Sequence, residues 1–289
     1  MKRIAFLMLS HAQARKSPVM PEVVRLLSGL GARVQVIHPE RQLLDLSRLR
    51  VEHDLYLLKA KTDIALSIAG CLHARGAAIL NPYPVSVMLR DKIITSRVLE
   101  AAGIPTPKTY VASRPHQLAR ALEEGPLVIK PYRGSGGVGV RVLWDADELD
   151  NLPSDREPIF AQRYHKPEGR DRKIYCIQGQ VFGVKRVWPA STYEEKLGQP
   201  FTVTPEMRDI ALRCGEAFGI DLYGLDIIES AGKLYVVDMS SFPGFKGVPD
   251  AALRLADYIS WAADRAVSGE LPWSAPEAPA AAMAKKVAV

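Results

Sequence analysis

The stretch VVDMSSFPGFKGV, residues 236–248, decides how this chain is read. Val236 and Val237 are β-branched residues in an apolar run, and they read as a buried strand. Asp238 ends that strand, where a carboxylate without a partner is costly. Two serines, a Pro-Gly pair and Lys246 follow, so the chain leaves the sheet in an irregular loop rather than a hairpin. The carboxylate needs a partner, and the rest of the sequence has to supply it.

Working backwards, YGLDIIES and GKLYVVDM read as two strands of one hairpin turning at Ala231-Gly232. Asp226 then lies on the partner strand, twelve positions before Asp238, where both carboxylates can share a face. Like charges so close need compensation. Either each aspartate pairs with a lysine, or a cation sits between them, as Mg²⁺ does when held by one or two carboxylates and nucleotide phosphates. Further upstream, the glycine loop YRGSGGVGV (132–140) follows Lys130 and joins two strands. Glycine-loop amides approach phosphate oxygens closely, and a lysine beside them adds positive charge. No helix opens behind the loop and no Lys-Ser/Thr ends it, so it is neither the Rossmann fingerprint nor a P-loop. Taken alone it reads equally as a flexible hairpin turn.

Outward from these segments the chain divides. Residues 3–9, RVQVIHP, DLYLLKA and AAIL read as strands alternating with helices that begin at Pro21 and span 63–75, which predicts a small parallel sheet over residues 1–86. Asp91 caps a helix with Ile94, Val98 and Leu99 on one face, and Gly103 ends it. KTYVA, PLVIKP, VGVRVL and IFAQRY are strands around a helix at 115–124, giving a central lobe over 87–165. KIYCI and VFGVKRVW form a hairpin at Gln178-Gly179. Thr204 starts a helix with Met207, Ile210, Ala211, Cys214 and Phe218 at helical spacing. A last helix over 250–267 closes a C-terminal lobe of residues 166–268. The Ala- and Pro-rich residues 269–289 are expected to be disordered. The fold class is α/β followed by α+β.

Composition narrows the function. The 289 residues carry a net charge of +6 and a pI near 9.2, which favours anionic small molecules as partners. The basic residues are spread along the chain without a basic-aromatic motif, so nucleic acid is not expected. Cys71, Cys176 and Cys214 are expected to be buried free thiols in a reducing cytosol. No segment approaches ~18 consecutive apolar residues, so the protein is expected in the cytoplasm and away from membranes.

"RDK" at 90–92, "VIKP" at 128–131, the glycine loop, "FAQRY" at 160–164, "LDII" at 225–228 and "VVDMS" at 236–240 occur in an order that resembles the ATP-grasp superfamily over residues 1 to about 268. The resemblance implies two α+β lobes clamping ATP, with Mg²⁺, behind a small pre-ATP-grasp domain. It implies that Lys92 and Lys130 contact the nucleotide and that Gly134, Ser135, Gly136 and Gly137 close over its phosphates. Gln162, Arg163 and Tyr164 fall where the hinge meets adenine. Asp226, Asp238 and Ser240 fall at the magnesium positions, the serine standing where the family usually has asparagine. Lys173 and Arg186 fall where basic residues face the γ-phosphate and serve catalysis.

Two branches of the superfamily compete. GSGGVGV is similar to RimK-type ligases, which convert a carboxylate into an acyl phosphate for attack by an amine. DMSSFPGFKGV and LYLLKAKTD are similar to inositol polyphosphate kinases of the same fold. The ligase reading is favoured, and a nucleotide-binding regulator without catalysis is a third reading to which only Ser240 points. Either enzyme takes a small anionic acceptor, a carboxylate or an inositol phosphate, and a homo-oligomer remains open. Lys59, Lys61, Arg172, Lys185 and Lys246 are further basic candidates near the cleft, and His11 lies on a loop after the first strand.

Overall fold

Past Arg3, every residue of β1 (Arg3–Leu7) is buried, the signature of a parallel strand covered on both faces. The computed structural model describes residues 1–10, 18–134, 136–152, 157–187 and 192–273. After β1 come α1 (Val19–Gly29), β2 (Arg33–Ile37), β3 (Leu55–Leu58), α2 (Asp63–His73) and β4 (Ile79–Leu80). The four strands form a parallel sheet in the order β2-β1-β3-β4. Ile4, Phe6, Leu55 and Leu57 face α1, whereas Ala5, Leu7, Tyr56 and Leu58 face Ile68, Ala69 and Leu72 of α2. The period-two alternation of a strand therefore splits β1 and β3 between two cores.

Next come α3 (Tyr83–Met88), α4 (Lys92–Ala101), β5 (Thr109–Ala112), α5 (Ala119–Glu123), β6 (Leu127–Pro131), β7 (Arg141–Leu143) and β8 (Ile159–Arg163). Here an antiparallel sheet runs β5-β8-β6-β7. β7 begins at Arg141, three residues later than VGVRVL predicts, because Gly139 at φ +75° still belongs to the loop. The predicted face of α4 is also different. Thr95, Val98 and Leu99 are buried while Ile94 is 41% exposed, and Val98 and Leu99 join the core of the C-terminal sheet rather than that of the central one.

That last sheet is built from β9 (Asp171–Ile177), β10 (Gln180–Arg186), α6 (Tyr193–Leu197), β11 (Gln199–Phe201), α7 (Pro205–Phe218), β12 (Leu222–Ser230) and β13 (Lys233–Ser240), followed by α8 (Ala251–Val267). The strand order is β11-β10-β9-β12-β13, antiparallel throughout. Both tight turns use left-handed residues, Gln178 and Gly179 at φ 49° and 75° and Ala231 and Gly232 at φ 49° and 69°. Thr204 caps α7 by accepting from Met207 N–H. α7 then lays Met207, Ile210, Ala211, Cys214 and Phe218 on the back of this sheet.

Helix α8 lies elsewhere. Leu255, Ala256, Ile259 and Ala263 enter one core with Ile4, Phe6, Val23 and Leu27 from the first sheet and with Tyr175, Ile177 and Val184 from the last. Beyond it, Glu270 pairs with Arg265, Leu271 O accepts from Arg265 Nε at 2.7 Å, and Trp273 packs on the same core. These contacts hold Glu270–Trp273 in place, against the expectation of disorder from 269 onward. The rest of that segment, from 274, lies outside the described residues, as do His11 and Ser135. Cys176 and Cys214 are buried free thiols, whereas Cys71, near the end of α2, is only half-buried. Among the described residues no helix is long and apolar enough to cross a membrane.

Candidate active site between two antiparallel sheets

Asp226 and Asp238 are directly opposite one another on β12 and β13. A regular hairpin through Ala231-Gly232 would not do this. Ile227 pairs with Val236, so the next pair in register would be Asp226 with Val237. A bulge between Asp226 and Ile227 supplies one extra residue on β13, Val237, and moves Asp238 into place. The side chains record the shift, since Leu234 and Val236 enter the α7 core and then Met239, not Asp238, does so. Asp238 and Ser240 are thereby on the other face, with Ser240 opposite Gly224.

That face carries further charge. On β9, Lys173 is registered against Asp226, and its Nζ lies 2.6 Å from Asp226 Oδ1. From the N-terminus of α4, Lys92 Nζ reaches Asp238 Oδ1 at 2.8 Å. From β6 of the central sheet, Lys130 Nζ donates to Gln162 Oε1 at 2.7 Å and to Val237 O at 3.1 Å. The bulge residue thus offers its carbonyl across the cleft. Burial pushes the Lys130 ammonium down to about 8, with Asp238 acting against the fall. Burial also works against the Asp238 carboxylate, but Lys92, Lys173 and Lys130 together hold it below the usual aspartate range. Lys61, at the end of β3, is brought down to about 8 by burial and is set among Asp238, Lys173, Lys92 and Arg90. Four ammonium groups surround two carboxylates, a surplus of positive charge that suits a polyphosphate.

The other expected residues divide. Gln162 is buried, receives Lys130 and donates to Thr109 Oγ1 at 3.2 Å. Arg163, one residue on, points to the opposite side of β8. Its guanidinium is taken up by Gly125 O, by Ala121 O and Tyr110 OH at 2.9 Å each, and by Glu124 at 3.2 Å, so it clamps the central lobe instead of facing the cleft. Tyr164 meets Trp144 edge-on at 5.6 Å between ring centroids. In the glycine loop, Gly136 and Gly137 adopt φ +72° and +76°, which L side chains rarely reach. Gly134 turns the chain by donating to Pro131 O at 3.0 Å. Arg186 donates to Tyr175 OH and Lys246 O, and among the described residues its buried Nε has no partner. Arg172 pairs with Glu229 and exposed Lys185 lies over the Phe201 ring, so neither belongs to the cluster.

Sequence reasoning missed how the first sheet holds the loop after β13. Asn81 Nδ2 donates to Ser241 O and, at 2.6 Å, to Leu222 O. Lys59 Nζ donates to Phe242 O at 2.7 Å and Pro243 O at 2.8 Å. Three successive carbonyls are thus gripped by two side chains from strand ends of another sheet. The signal available in sequence was only that both residues follow buried strands, where polar groups need a use.

Cation binding can be tested on the donor set. Among the described residues no group of three or more His, Cys, Asp and Glu converges. Asp226, Asp238 and the Ser240 hydroxyl supply few oxygens, which fits Mg²⁺, an ion that keeps waters and takes substrate phosphates as ligands. A narrow cleft beside them is lined by Lys92, Thr95, Leu99, Phe160, Val237 and Asp238.

Comparison with known proteins bears on the family and the fold. A family model described as RimK-like ATP-grasp domain matches residues 89–259. A probable alpha-L-glutamate ligase of Mannheimia succiniciproducens is 26% identical over 217 residues, 68% of this chain and 72% of that protein. The alpha-aminoadipate–LysW ligase LysX of Saccharolobus solfataricus is 28% identical over 240 residues, 75% of this chain and 86% of that protein. The crystal structure of a RimK domain ATP-grasp protein from Sphaerobacter thermophilus superposes with a TM-score of 0.69 at 19% identity, over 88% of this chain and 98% of that one.

Proposed function

Because the chain belongs to the RimK-like ATP-grasp family, we propose that it is an ATP- and Mg²⁺-dependent ligase that joins a carboxylate to an amine through an acyl phosphate. The observation that carries the reading is the opposition of Asp226 and Asp238 beneath a surplus of lysine ammonium groups. Mg²⁺ bound by Asp226, Asp238 and Ser240 would screen the negative charge of the nucleotide phosphates. Lys130 and Lys92 bind phosphate oxygens, and the glycine loop of Gly134, Gly136 and Gly137 covers them and excludes water. Gln162 holds Lys130 in position, and the chain at Arg163 and Tyr164 borders the base.

In the first step a carboxylate oxygen of the acceptor attacks the γ-phosphorus, and the bond to the bridging oxygen breaks with ADP leaving. Lys173 and Arg186 face the charge that spreads over the transferring group. The amine then attacks the acyl carbon, phosphate departs with the bonding pair, and the amine gives up a proton. The named relatives are a probable alpha-L-glutamate ligase and an alpha-aminoadipate–LysW ligase, which supports an amino acid as the amine donor and a peptide carboxylate as the acceptor. Neither relative carries the name of a kinase, so the kinase reading is not favoured. Incubation with ATP, Mg²⁺, L-glutamate and glutamate-ended peptides tests the reading. Condensed product should form, and oxygen-18 from the acceptor carboxylate should appear in released phosphate. A phosphorylated product, or label retained wholly in the peptide, would refute it.

A further inference from the structure

Each of the two opposed carboxylates has an ammonium partner of its own. Asp226 Oδ1 lies 2.6 Å from Lys173 Nζ and Asp238 Oδ1 lies 2.8 Å from Lys92 Nζ, with all four side chains more than half withdrawn from water. The two lysines arrive from different elements. Lys173 stands on β9, in register with Asp226. Lys92 is the first residue of α4, where Asp91 caps the helix by accepting from Ile93 and Ile94 N–H. Lys92 N–H donates to Tyr132 O, and an Arg90 guanidinium nitrogen to Arg133 O, each at 2.9 Å. The start of the glycine loop is thus tied to the helix end that carries Lys92, which places this ammonium beside the loop as well as beside a carboxylate. Lys130 differs, since its ammonium donates to Gln162 Oε1 and Val237 O and not to an aspartate.

The pairing decides what the site can accept. Two carboxylates matched by two ammonium groups are neutral together. A divalent cation arriving alone would meet both ammonium groups at short range, where partial burial weakens screening. It would also have to shed water, which Mg²⁺ does reluctantly. A triphosphate changes the balance, because its oxygens offer the ammonium groups charge-assisted hydrogen bonds in exchange for those they leave. Resting on the reading of this site as one for ATP and Mg²⁺, we propose that Lys92 and Lys173 gate the cation. They hold Asp226 and Asp238 until nucleotide phosphates take the two ammonium groups, and only then are the carboxylates released to a metal. The exchange makes cation affinity conditional on nucleotide, and by linkage the cation strengthens nucleotide binding by the same factor. No covalent bond is made or broken in it. Free divalent cations are thereby kept from two opposed aspartates that would otherwise attract them.

Cation binding by the full chain without nucleotide tests this, with Mn²⁺ as the probe and unbound Mn²⁺ read by electron paramagnetic resonance. Wild type should bind Mn²⁺ weakly. Lys92→Met and Lys173→Met should each tighten that binding by about tenfold or more, since an aspartate is left without its counter-ion. Both variants should bind AMPPNP with Mn²⁺ more weakly than wild type. Lys130→Met also removes a positive charge from the cleft but no aspartate's partner, so it should change Mn²⁺ affinity without nucleotide by less than about threefold. Where a methionine variant fails to fold, Lys92→Gln and Lys173→Gln, which keep a hydrogen-bond donor without the charge, should show the same gain. Unchanged Mn²⁺ affinity at either position, or an equal gain in Lys130→Met, would overturn the proposal. A wild type that binds Mn²⁺ alone as tightly as it binds Mn²⁺ with AMPPNP would overturn it too, with the nucleotide reading left standing. A wild type that binds no AMPPNP would refute that reading itself, and this proposal with it.

Discussion

Lys92 Nζ and Asp238 Oδ1, 2.8 Å apart, join the first turn of α4 to the C-terminal end of strand β13 across 146 residues of sequence. Both side chains are largely withdrawn from water, at 14% and 30% exposure. The pair therefore brings the carboxylate's ionisation into the folding equilibrium. Asp238 has a lower pKa in the folded protein than in the unfolded chain, so it stabilises the fold above the unfolded value of about 4 and loses that contribution as pH falls below it. The stability difference between wild type and Asp238→Asn, read from urea midpoints without nucleotide, should narrow as pH drops from 6 through 4. The same variant should lose most ADP formation at pH 7. A difference that widens in acid would contradict the assignment.

Lys130 should be partly neutral near pH 8 in the ligand-free protein and fully charged against phosphate. Nucleotide binding at pH 8 should then take up protons, visible as a calorimetric heat that depends on the buffer's ionisation enthalpy, and affinity should fall as pH rises toward 9. Lys130→Met should reduce that uptake and weaken AMPPNP by ~1.5–3 kcal/mol, the worth of a charged hydrogen bond. Unaltered affinity would remove Lys130 from the nucleotide site.

Ser240 offers a shorter and weaker oxygen ligand than an amide. Ser240→Asn should lower the Mg²⁺ concentration giving half-maximal ADP release and leave the product unchanged. A higher Mg²⁺ requirement in the variant would show that serine is tuned to this site.

Lys59 has been pushed down to about 7, by burial first and by Lys61 and Lys246 next. Between pH 7 and about 10.4 the unfolded chain binds more protons at this residue, so stability should rise with pH across that window. Lys59→Met should flatten part of the rise in thermal midpoint. It should also lower activity, because Phe242 O and Pro243 O lose their donor. An unchanged pH slope would mean that the ammonium is better solvated than its surroundings imply.

Much of the last sheet is legible because local chemistry dictates it. Gln178-Gly179 and Ala231-Gly232 fix two hairpins, and Thr204-Pro205 opens α7. The adjacency of Asp226 and Asp238 is a harder case. Counting from the turn pairs Asp226 with Val237, and only a bulge restores the aspartates to each other. Its trace in sequence is the change of apolar parity from Leu234 and Val236 to Met239. The direction of the Arg163 side chain is equally hidden, because "FAQRY" names neighbours without saying which faces the cleft, and strand alternation sends its guanidinium away from Gln162. The grip of Lys59 and Asn81 on residues 241–243 spans 160 residues or more and leaves no local pattern.

Helix α8 sets the order in which the molecule can be made. It supplies Leu255, Ala256, Ile259 and Ala263 to the core that also holds Ile4 and Phe6. Lys2 Nζ meets Ser260 Oγ and Asp264, each at 2.9 Å. One face of β1 and β3 is therefore covered by a helix that leaves the ribosome about 200 residues or more after them. Until then Ile4, Phe6, Leu55 and Leu57 lack part of their apolar cover, and closing the gap joins segments some 250 residues apart. This parallel sheet completes its core only after Val267 has emerged, so its strands wait on a segment far downstream and the nascent chain depends on being shielded meanwhile.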